Sequence, residues 1–284
     1  MTQSMNTLEG NGADGEKPLV ALDPAVPAIS NAGTHDARTS LSGPRLIAPW
    51  WHTALMVLVI VGLSATGARQ MHNSGNRPLH LIPNYLLTIA YEWVLAGLAW
   101  WGIHLRKTSR QQLIGEWPPA LRGWLSDIGA ALAFWFVALM LLSVLAQALQ
   151  RVFGSHLDPR RISDVTQKLA PTTGTEMMLF LILSISAGIC EEFVFRGYFQ
   201  QQFSLLGGRV WVGVVLAALV FGCAHGYEGI SGVLLIAAYG AMFGVLALFR
   251  RGLRTGMIAH VWHDSASGVA LVLLRHYGAH FGAK

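Results

Sequence analysis

Long apolar runs separated by short polar connections make up the chain from about residue 47 to residue 275. A helix needs roughly 20 apolar residues to cross the hydrocarbon of a bilayer, and each run is close to that length. The seven runs lie at approximately 47–68, 82–104, 125–149, 177–198, 209–226, 230–249 and 256–275. The pattern predicts an all-α fold, a polytopic transmembrane helical bundle of about seven to eight membrane helices.

The polar segments between and around these runs set the expected boundaries. Residues 1–45 are rich in small and polar residues without an apolar period, which predicts a disordered tail, and they lack the pattern of a signal peptide. Basic and apolar residues alternate in the segment 106–124, which predicts an interfacial amphipathic stretch broken at Pro118-Pro119. The polar loop 150–176 is either a cap or a connector. Outside the tail, the expected parts are membrane helices with their loops at 46–175, a second membrane domain at 176–277 and a C-terminal tail at 278–284.

Composition supports a membrane protein. The chain is 53% hydrophobic and 12% charged, whereas soluble domains are about 25% charged. The net charge of +5 comes from bases in the loops, which predicts contact with anionic membrane lipid. No basic patch is interleaved with aromatic residues, so no nucleic-acid partner is expected. Cys190 and Cys223 lie inside apolar runs and are expected to be small buried hydrophobes without a disulfide.

Basic residues give a weak signal for orientation. If the N-terminus is inside, the inner segments carry ten Lys and Arg residues and the outer segments carry eight. The compact turn Arg250-Arg251-Gly252-Leu253-Arg254 also favours the inside. The sequence therefore predicts a multi-pass protein of the plasma or inner membrane with its N-terminus inside, and it makes no prediction of oligomeric state.

A charged cluster, Glu191-Glu192 with Arg196, stands at the end of the fourth apolar run. A charge at membrane depth costs about 2.5–3.5 kcal/mol, so the cluster needs a reason. Glu192 and Arg196 are four residues apart, the spacing of a helical ion pair, whereas Glu191 points about 100° away from Glu192. Glu191 is thus left available for chemistry. The alternative is that all three side chains snorkel to the headgroup region.

Two further polar clusters lie in the last three runs. His225 closes the fifth run, four residues after Phe221, and His260 precedes Asp264 by four residues in the seventh. His263 is close to the same helix face, without a clear role. Ionisable residues inside a membrane are functional candidates by default, which places the expected active site among the last four helices. Glu92 is interpreted as a snorkelling or helix-pairing residue.

These residue types suit hydrolysis of an amide. A carboxylate and an imidazole can activate a water for attack on a carbonyl, and a His with an acid or amide side chain can stabilise the oxyanion. A divalent metal such as zinc, held by Glu191, His225 and His260, could serve the same purpose, so the sequence leaves a metalloendopeptidase-like site open. The zinc-protease pattern His-Glu-x-x-His is absent.

Three motifs in order resemble a known family. Glu-Glu-x-x-x-Arg, Phe-x-x-x-His and His-x-x-x-Asn/Asp on successive membrane helices are the signature of the CPBP family. It includes the type II CAAX prenyl endopeptidases and bacteriocin-processing or immunity-related proteins, also called ABI or glutamic intramembrane proteases. The resemblance covers about residues 176–277. The matching residues are Glu191, Glu192, Arg196, Phe221, His225, His260 and Asp264.

The resemblance implies a role for each matching residue. Glu191 and His225 would activate the hydrolytic water, and His260 with Asp264 would stabilise the oxyanion. Glu192, Arg196 and Phe221 would support the helices. Prenyl-protease members typically carry Asn where this chain has Asp264, and an ionised Asp would repel an oxyanion. Asp264 is therefore expected to be protonated or, preferably, to orient His260 by accepting a hydrogen bond from it.

The prediction from sequence is an intramembrane endopeptidase that cuts a membrane-associated protein or peptide, as in CAAX-box processing. The alternative is a non-proteolytic immunity or scaffold protein of the same fold. A proton-linked transporter is disfavoured because the chain shows no internal repeat and no matched pair of broken helices.

Overall fold

Helices account for every regular element in the residues that the computed structural model describes, which are 45–75, 79–109, 113–116, 120–154 and 159–281. A π-helical segment occupies Glu192–Gln200, and a 3-10 turn occupies Gly226–Glu228. The α-helices are α1 (Trp50–Ser74), α2 (Leu81–His104), α3 (Leu121–Phe153), α4 (Pro159–Leu169), α5 (Gly174–Glu191), α6 (Gln201–Gly207), α7 (Val210–Ala224), α8 (Gly229–Arg250) and α9 (Arg254–Phe281). The predicted all-α fold is confirmed.

Six helices of the described residues are long and apolar enough to cross a membrane, with α5, the π-helical segment and α6 counted as one helix of 34 residues. Their apolar side chains face outward; Phe136 and Val144 on α3, for example, are 60% and 65% exposed. Burying such side chains in lipid removes them from water. The chain is therefore a multi-pass membrane protein.

Helix α7 is shorter than the sequence predicted. It has 15 residues, which corresponds to about 22 Å, against the roughly 30 Å of a hydrocarbon core. The chain leaves the helix at His225 and returns through α8 after the 3-10 turn. Of the seven predicted crossings, this one ends part-way through the bundle.

Hydrogen bonds define the two ends of the bundle. At one, here called the Arg250 end, Ala48 exchanges two bonds with the side chain of Gln202, and the Ile114 carbonyl accepts from the Leu253 amide at 3.0 Å. At the other, the Leu169 end, the Tyr85 hydroxyl donates to the Leu169 carbonyl at 2.5 Å. The termini of α1, α2, α5 and α9 are thereby fixed on opposite sides of the bundle.

The loop expected at 150–176 contains the helix α4, which lies at the Leu169 end. Arg161 of this helix donates from Nε to the Tyr227 carbonyl at 3.4 Å, in the turn that follows α7. Lys168 contacts the Gly75 carbonyl, and Arg275 donates to the Ala170 carbonyl at 3.3 Å. The segment therefore covers the end of α7 and is not only a connector.

Some predictions fall on residues outside the described ranges. These are the disordered tail up to residue 44, the break at Pro118-Pro119 and the last three residues of the C-terminal tail. Within the described part of the expected amphipathic stretch, Leu113 is buried in the core, whereas Leu121 is 72% exposed. Cys190 is buried as expected, but Cys223 is exposed.

Two glycines allow the helices around the centre to approach closely. A Cβ on Gly222 of α7 would lie 2.6 Å from the Val233 carbonyl oxygen of α8, and one on Gly188 of α5 would lie 2.9 Å from the Val261 amide of α9. Both contacts are with backbone, which cannot move aside. The four helices α5, α7, α8 and α9 are thus packed together around the middle of the bundle.

Candidate functional site

Three elements bring the predicted polar residues together. Glu191 is the last residue of α5, His225 follows α7, and His260 lies on α9. Oε2 of Glu191 is 3.6 Å from Nε2 of His260, and Glu191 and His225 line one cavity. Residues far apart in sequence therefore meet at mid-depth in the bundle.

Glu192 is the centre of the buried polar network. Its side chain is 0% exposed, and Oε1 accepts from Nη1 of Arg196 at 2.8 Å and from Nδ1 of His260 at 3.1 Å. The ion pair predicted from the four-residue spacing is present. Helix α9 approaches this carboxylate at a glycine, since a Cβ on Gly256 would lie 2.8 Å from Glu192 Oε2.

Arg196 is held on all sides. Nη2 donates to the Gly240 carbonyl of α8 at 3.0 Å, and the guanidinium lies 4.6 Å from the centre of the Phe221 ring and 5.0 Å from that of Phe243. Arginine over an aromatic face gains a favourable cation–π interaction. The π-helical segment, α7 and α8 are thus joined through one buried side chain.

His260 is oriented by Glu192. Because a carboxylate only accepts, Nδ1 of His260 carries the hydrogen of this bond, and Nε2 faces Glu191 at 3.6 Å and Asp264 at 3.8 Å. The distance to Asp264 exceeds hydrogen-bond length. The orienting bond that the sequence analysis expected from Asp264 therefore comes from Glu192, on a different helix.

His225 is oriented by backbone. Its Nδ1 donates to the Phe221 carbonyl at 2.9 Å, so Nε2 is the nitrogen that can take a proton from a neighbour. The Phe221 ring packs edge-on against the imidazole, with 4.9 Å between ring centres. The supporting position predicted for Phe221 is thus a contact with both His225 and Arg196.

The cavity shared by Glu191 and His225 has a volume of about 100 Å³. At about 30 Å³ for each water, this is room for about three water molecules. Helix α2 forms one wall of the cavity. The lining residues are Thr88, Tyr91, Glu92, Leu95, Cys190, Glu191, Val194, Phe195, Ala224, His225 and Tyr227.

Glu92 is a member of this site that the sequence analysis did not place there. It is 5% exposed and lines the cavity from α2, so it does not snorkel to the membrane surface. Thr88, Glu92 and Leu95 follow the i, i+4, i+7 spacing of one helix face. That spacing was the available signal, but it does not reveal which helix the face meets.

His263 contacts side chains of α3 and α8 and does not line the cavity. Its Nδ1 accepts from the indole Nε1 of Trp135 at 3.1 Å, and its ring lies 5.0 Å from that of Tyr239. The residue joins α9 to α3 and α8. Its position is explained by packing, without a part in the cavity.

The zinc expectation requires Glu191, His225 and His260 to converge on one point. In the described part of the chain, no group of three or more His, Cys, Asp and Glu side chains is arranged to hold a metal ion. Glu191, His225 and His260 are therefore not arranged as a ligand set in these residues, and zinc binding stays a prediction.

Comparison with known proteins finds a similarity to a protein family in this part of the chain. Residues 173–266 match the family model described as type II CAAX prenyl endopeptidase Rce1-like. No curated protein and no solved structure matches the chain. The match contains Glu191, His225, His260 and Asp264, whereas Glu92 lies outside it; the predicted domain boundaries stay a prediction.

Proposed function

We propose that this membrane protein hydrolyses a peptide bond inside the bilayer, because residues 173–266 match the family model of type II CAAX prenyl endopeptidase Rce1-like proteins. The family is a protease family, and the six apolar helices embed the domain in a membrane. The substrate is a membrane-associated protein or peptide. The observation that carries the proposal is that Glu191 and His225 line one cavity with room for about three water molecules.

Glu191 and His225 activate the hydrolytic water. The water oxygen attacks the carbonyl carbon of the scissile bond while its proton moves to the Glu191 carboxylate. Nε2 of His225 accepts a hydrogen bond from the same water, because Nδ1 is already used by the Phe221 carbonyl. When the C–N bond breaks, Glu191 returns the proton to the leaving nitrogen.

His260 and Asp264 complete the site on the side of α9. With His260 as an imidazolium, which carries a hydrogen on both ring nitrogens, Nδ1 stays bonded to Glu192 and Nε2, 3.6 Å from Glu191, donates to the oxyanion that forms on the carbonyl oxygen. Asp264, in its protonated form, is a second donor to the oxyanion. Its Oδ2 lies 3.8 Å from Nε2 of His260. Glu192 supports this role because it fixes the ring orientation through Nδ1.

The experiment compares new protein termini in membranes that contain either the wild type or Glu191→Gln. Glutamine keeps the size of the side chain and removes the base. We expect specific cleavage products with the wild type and their loss with Glu191→Gln at unchanged protein level. A farnesylated peptide ending in Cys, two aliphatic residues and any residue is the first purified probe.

The alternative function predicts a different result. A non-proteolytic immunity or scaffold protein would give identical termini in both membranes while its partners are expressed. Glu191 would then be a structural carboxylate, and the proposed hydrolysis would be wrong.

A further inference from the structure

Glu92 is a buried carboxyl group that its surroundings leave unsatisfied. The residue is 5% exposed, and among the described residues its Oε2 atom is buried without a hydrogen-bond partner. A buried polar atom without a partner is destabilising, and more so inside a membrane. Such an atom requires a ligand or a water that the protein itself does not supply.

Packing of α2 does not explain Glu92. The helix is fastened to α5 one residue further on, where the Trp93 indole donates to Ser186 Oγ at 2.8 Å. Tyr85 fixes the same helix at the Leu169 end. A leucine at position 92 would satisfy a purely packing role without an unpaired polar atom.

The Glu92 side chain also faces a cavity. Glu92 lines it together with Glu191 and His225, and its volume of about 100 Å³ is enough for a short water chain. No Lys or Arg is among the lining residues, so neither carboxylate is neutralised there by a basic side chain. Water in a cavity of this size can hydrogen-bond the carboxyl oxygens that reach it.

We propose that Glu92 is a second carboxyl of the hydrolytic site, a positioning residue that holds the cavity water which Glu191 activates. The proposal rests on the hydrolytic function proposed above and deepens it. Glu92 accepts a hydrogen bond from a second water of the chain, and that water donates its other hydrogen to the attacking water. The attacking water donates its own two hydrogens to Glu191 and to Nε2 of His225, so its remaining lone pair is directed toward the substrate carbonyl.

The proton balance gives Glu92 a second task. During attack, one water proton goes to Glu191 and, as the C–N bond breaks, to the leaving nitrogen. The other stays on the attacking oxygen until the product forms as a carboxylic acid. Glu92 takes that proton through the water chain and passes it on to the amine, so that peptide and water yield a carboxylate and an ammonium ion.

The test uses Glu92→Gln and Glu92→Asp in the full-length chain reconstituted in lipid vesicles. The assay follows the product that the wild type makes and Glu191→Gln does not. We expect Glu92→Gln to lower kcat about a hundredfold with little change in KM, and to remove one limb of the pH–rate profile. Glu92→Asp retains a carboxyl that reaches the water and recovers most of the rate. Glu116→Gln, the same change at an exposed position, should match the wild type.

A second readout requires no substrate. The infrared difference spectrum between the wild type and Glu92→Gln isolates the carboxyl band of Glu92, in water and in D₂O. A carboxyl in contact with the cavity water shifts as soon as D₂O is added, whereas a dry one shifts only on unfolding.

The outcomes separate the two proposals. Unchanged kcat and pH profile in Glu92→Gln, or a band that ignores D₂O, overturns the role of Glu92. That role is also overturned if Glu92→Gln and Glu92→Asp lose activity equally and both melt earlier than the wild type. If the product persists in Glu191→Gln, the hydrolytic function fails, and the infrared result still decides whether Glu92 holds water.

Discussion

Two adjacent glutamates have opposite environments. The Glu192 side chain is completely buried between Arg196 and His260, whereas that of Glu191 is 20% exposed at the cavity. The difference follows from the helix rotation of about 100° between neighbouring residues. A stability role and a chemical role are thus divided between identical side chains, and substitution can separate them.

Glu192→Gln should destabilise the protein, and Glu191→Gln should not. Removing one partner of a buried ion pair leaves the Arg196 guanidinium uncompensated, at a cost of about 3–5 kcal/mol in the free energy of unfolding. The Glu191 change should stay within about 0.5 kcal/mol. Thermal unfolding of both variants in detergent measures the difference. Equal melting temperatures would show that Glu192 is not needed to hold the bundle.

The sequence predicted contacts within a helix better than contacts between helices. The Glu192–Arg196 pair follows from spacing alone, and the structure contains it. The bond from His260 to Glu192 joins residues 68 positions apart. Glu92 meets the cavity across another interface. Spacing determines the face of its own helix on which a residue lies. The neighbouring helix that this face contacts is determined by packing, which cannot be read from one sequence.

At the scale of elements, hydropathy predicted where helices lie but not how each one is built. All seven apolar runs are helical, and the capping box of Thr173 and Glu176 marks the start of α5. The π-helical segment was not predicted, because an i→i+5 hydrogen-bond pattern leaves no trace in a hydropathy window. The short polar helix α4 was missed for a related reason: its few apolar positions, such as the buried Val165, are spread over 11 residues.

Asp127→Asn should loosen the attachment of α3 to the turn between α8 and α9. The buried Asp127 carboxylate accepts from Arg250 at 2.7 Å, Arg254 at 3.1 Å and Thr255 at 2.7 Å. Hydrogen bonds to charged groups contribute about 1.5–3 kcal/mol each, and partial exposure of the arginines reduces their share.

We therefore expect a loss of about 2 kcal/mol in the free energy of unfolding, measured by denaturant or thermal unfolding in detergent. Asp164→Asn, the same change at an exposed position of α4, is the matched control and should leave stability unchanged. If both variants unfold alike, Asp127 does not fasten α3.

At the scale of the whole molecule, basic residues from the segments predicted to be inside lie together at one end of the bundle. The Arg250 end holds Arg106, Lys107, Arg122, Arg209, Arg250, Arg251 and Arg254. The short helix α7 begins at this end and stops before the opposite one, and α4 contacts the turn that follows it at the Leu169 end. His225, at the end of α7, is therefore close to the α4 cap.

The positive-inside rule predicts that the Arg250 end faces the cytoplasm and the Leu169 end the opposite side. Single cysteines test this in a chain whose Cys190 and Cys223 are replaced by alanine. Arg251→Cys and Asp164→Cys lie at opposite ends, and both positions are exposed. With a membrane-impermeant maleimide, Asp164→Cys should label in intact cells and Arg251→Cys only after permeabilisation. The reverse result would contradict the predicted orientation. In both cases Glu191 lies about 25 Å from each end of the helix Gly174–Gly207, so a scissile bond must reach mid-membrane from whichever side the substrate enters.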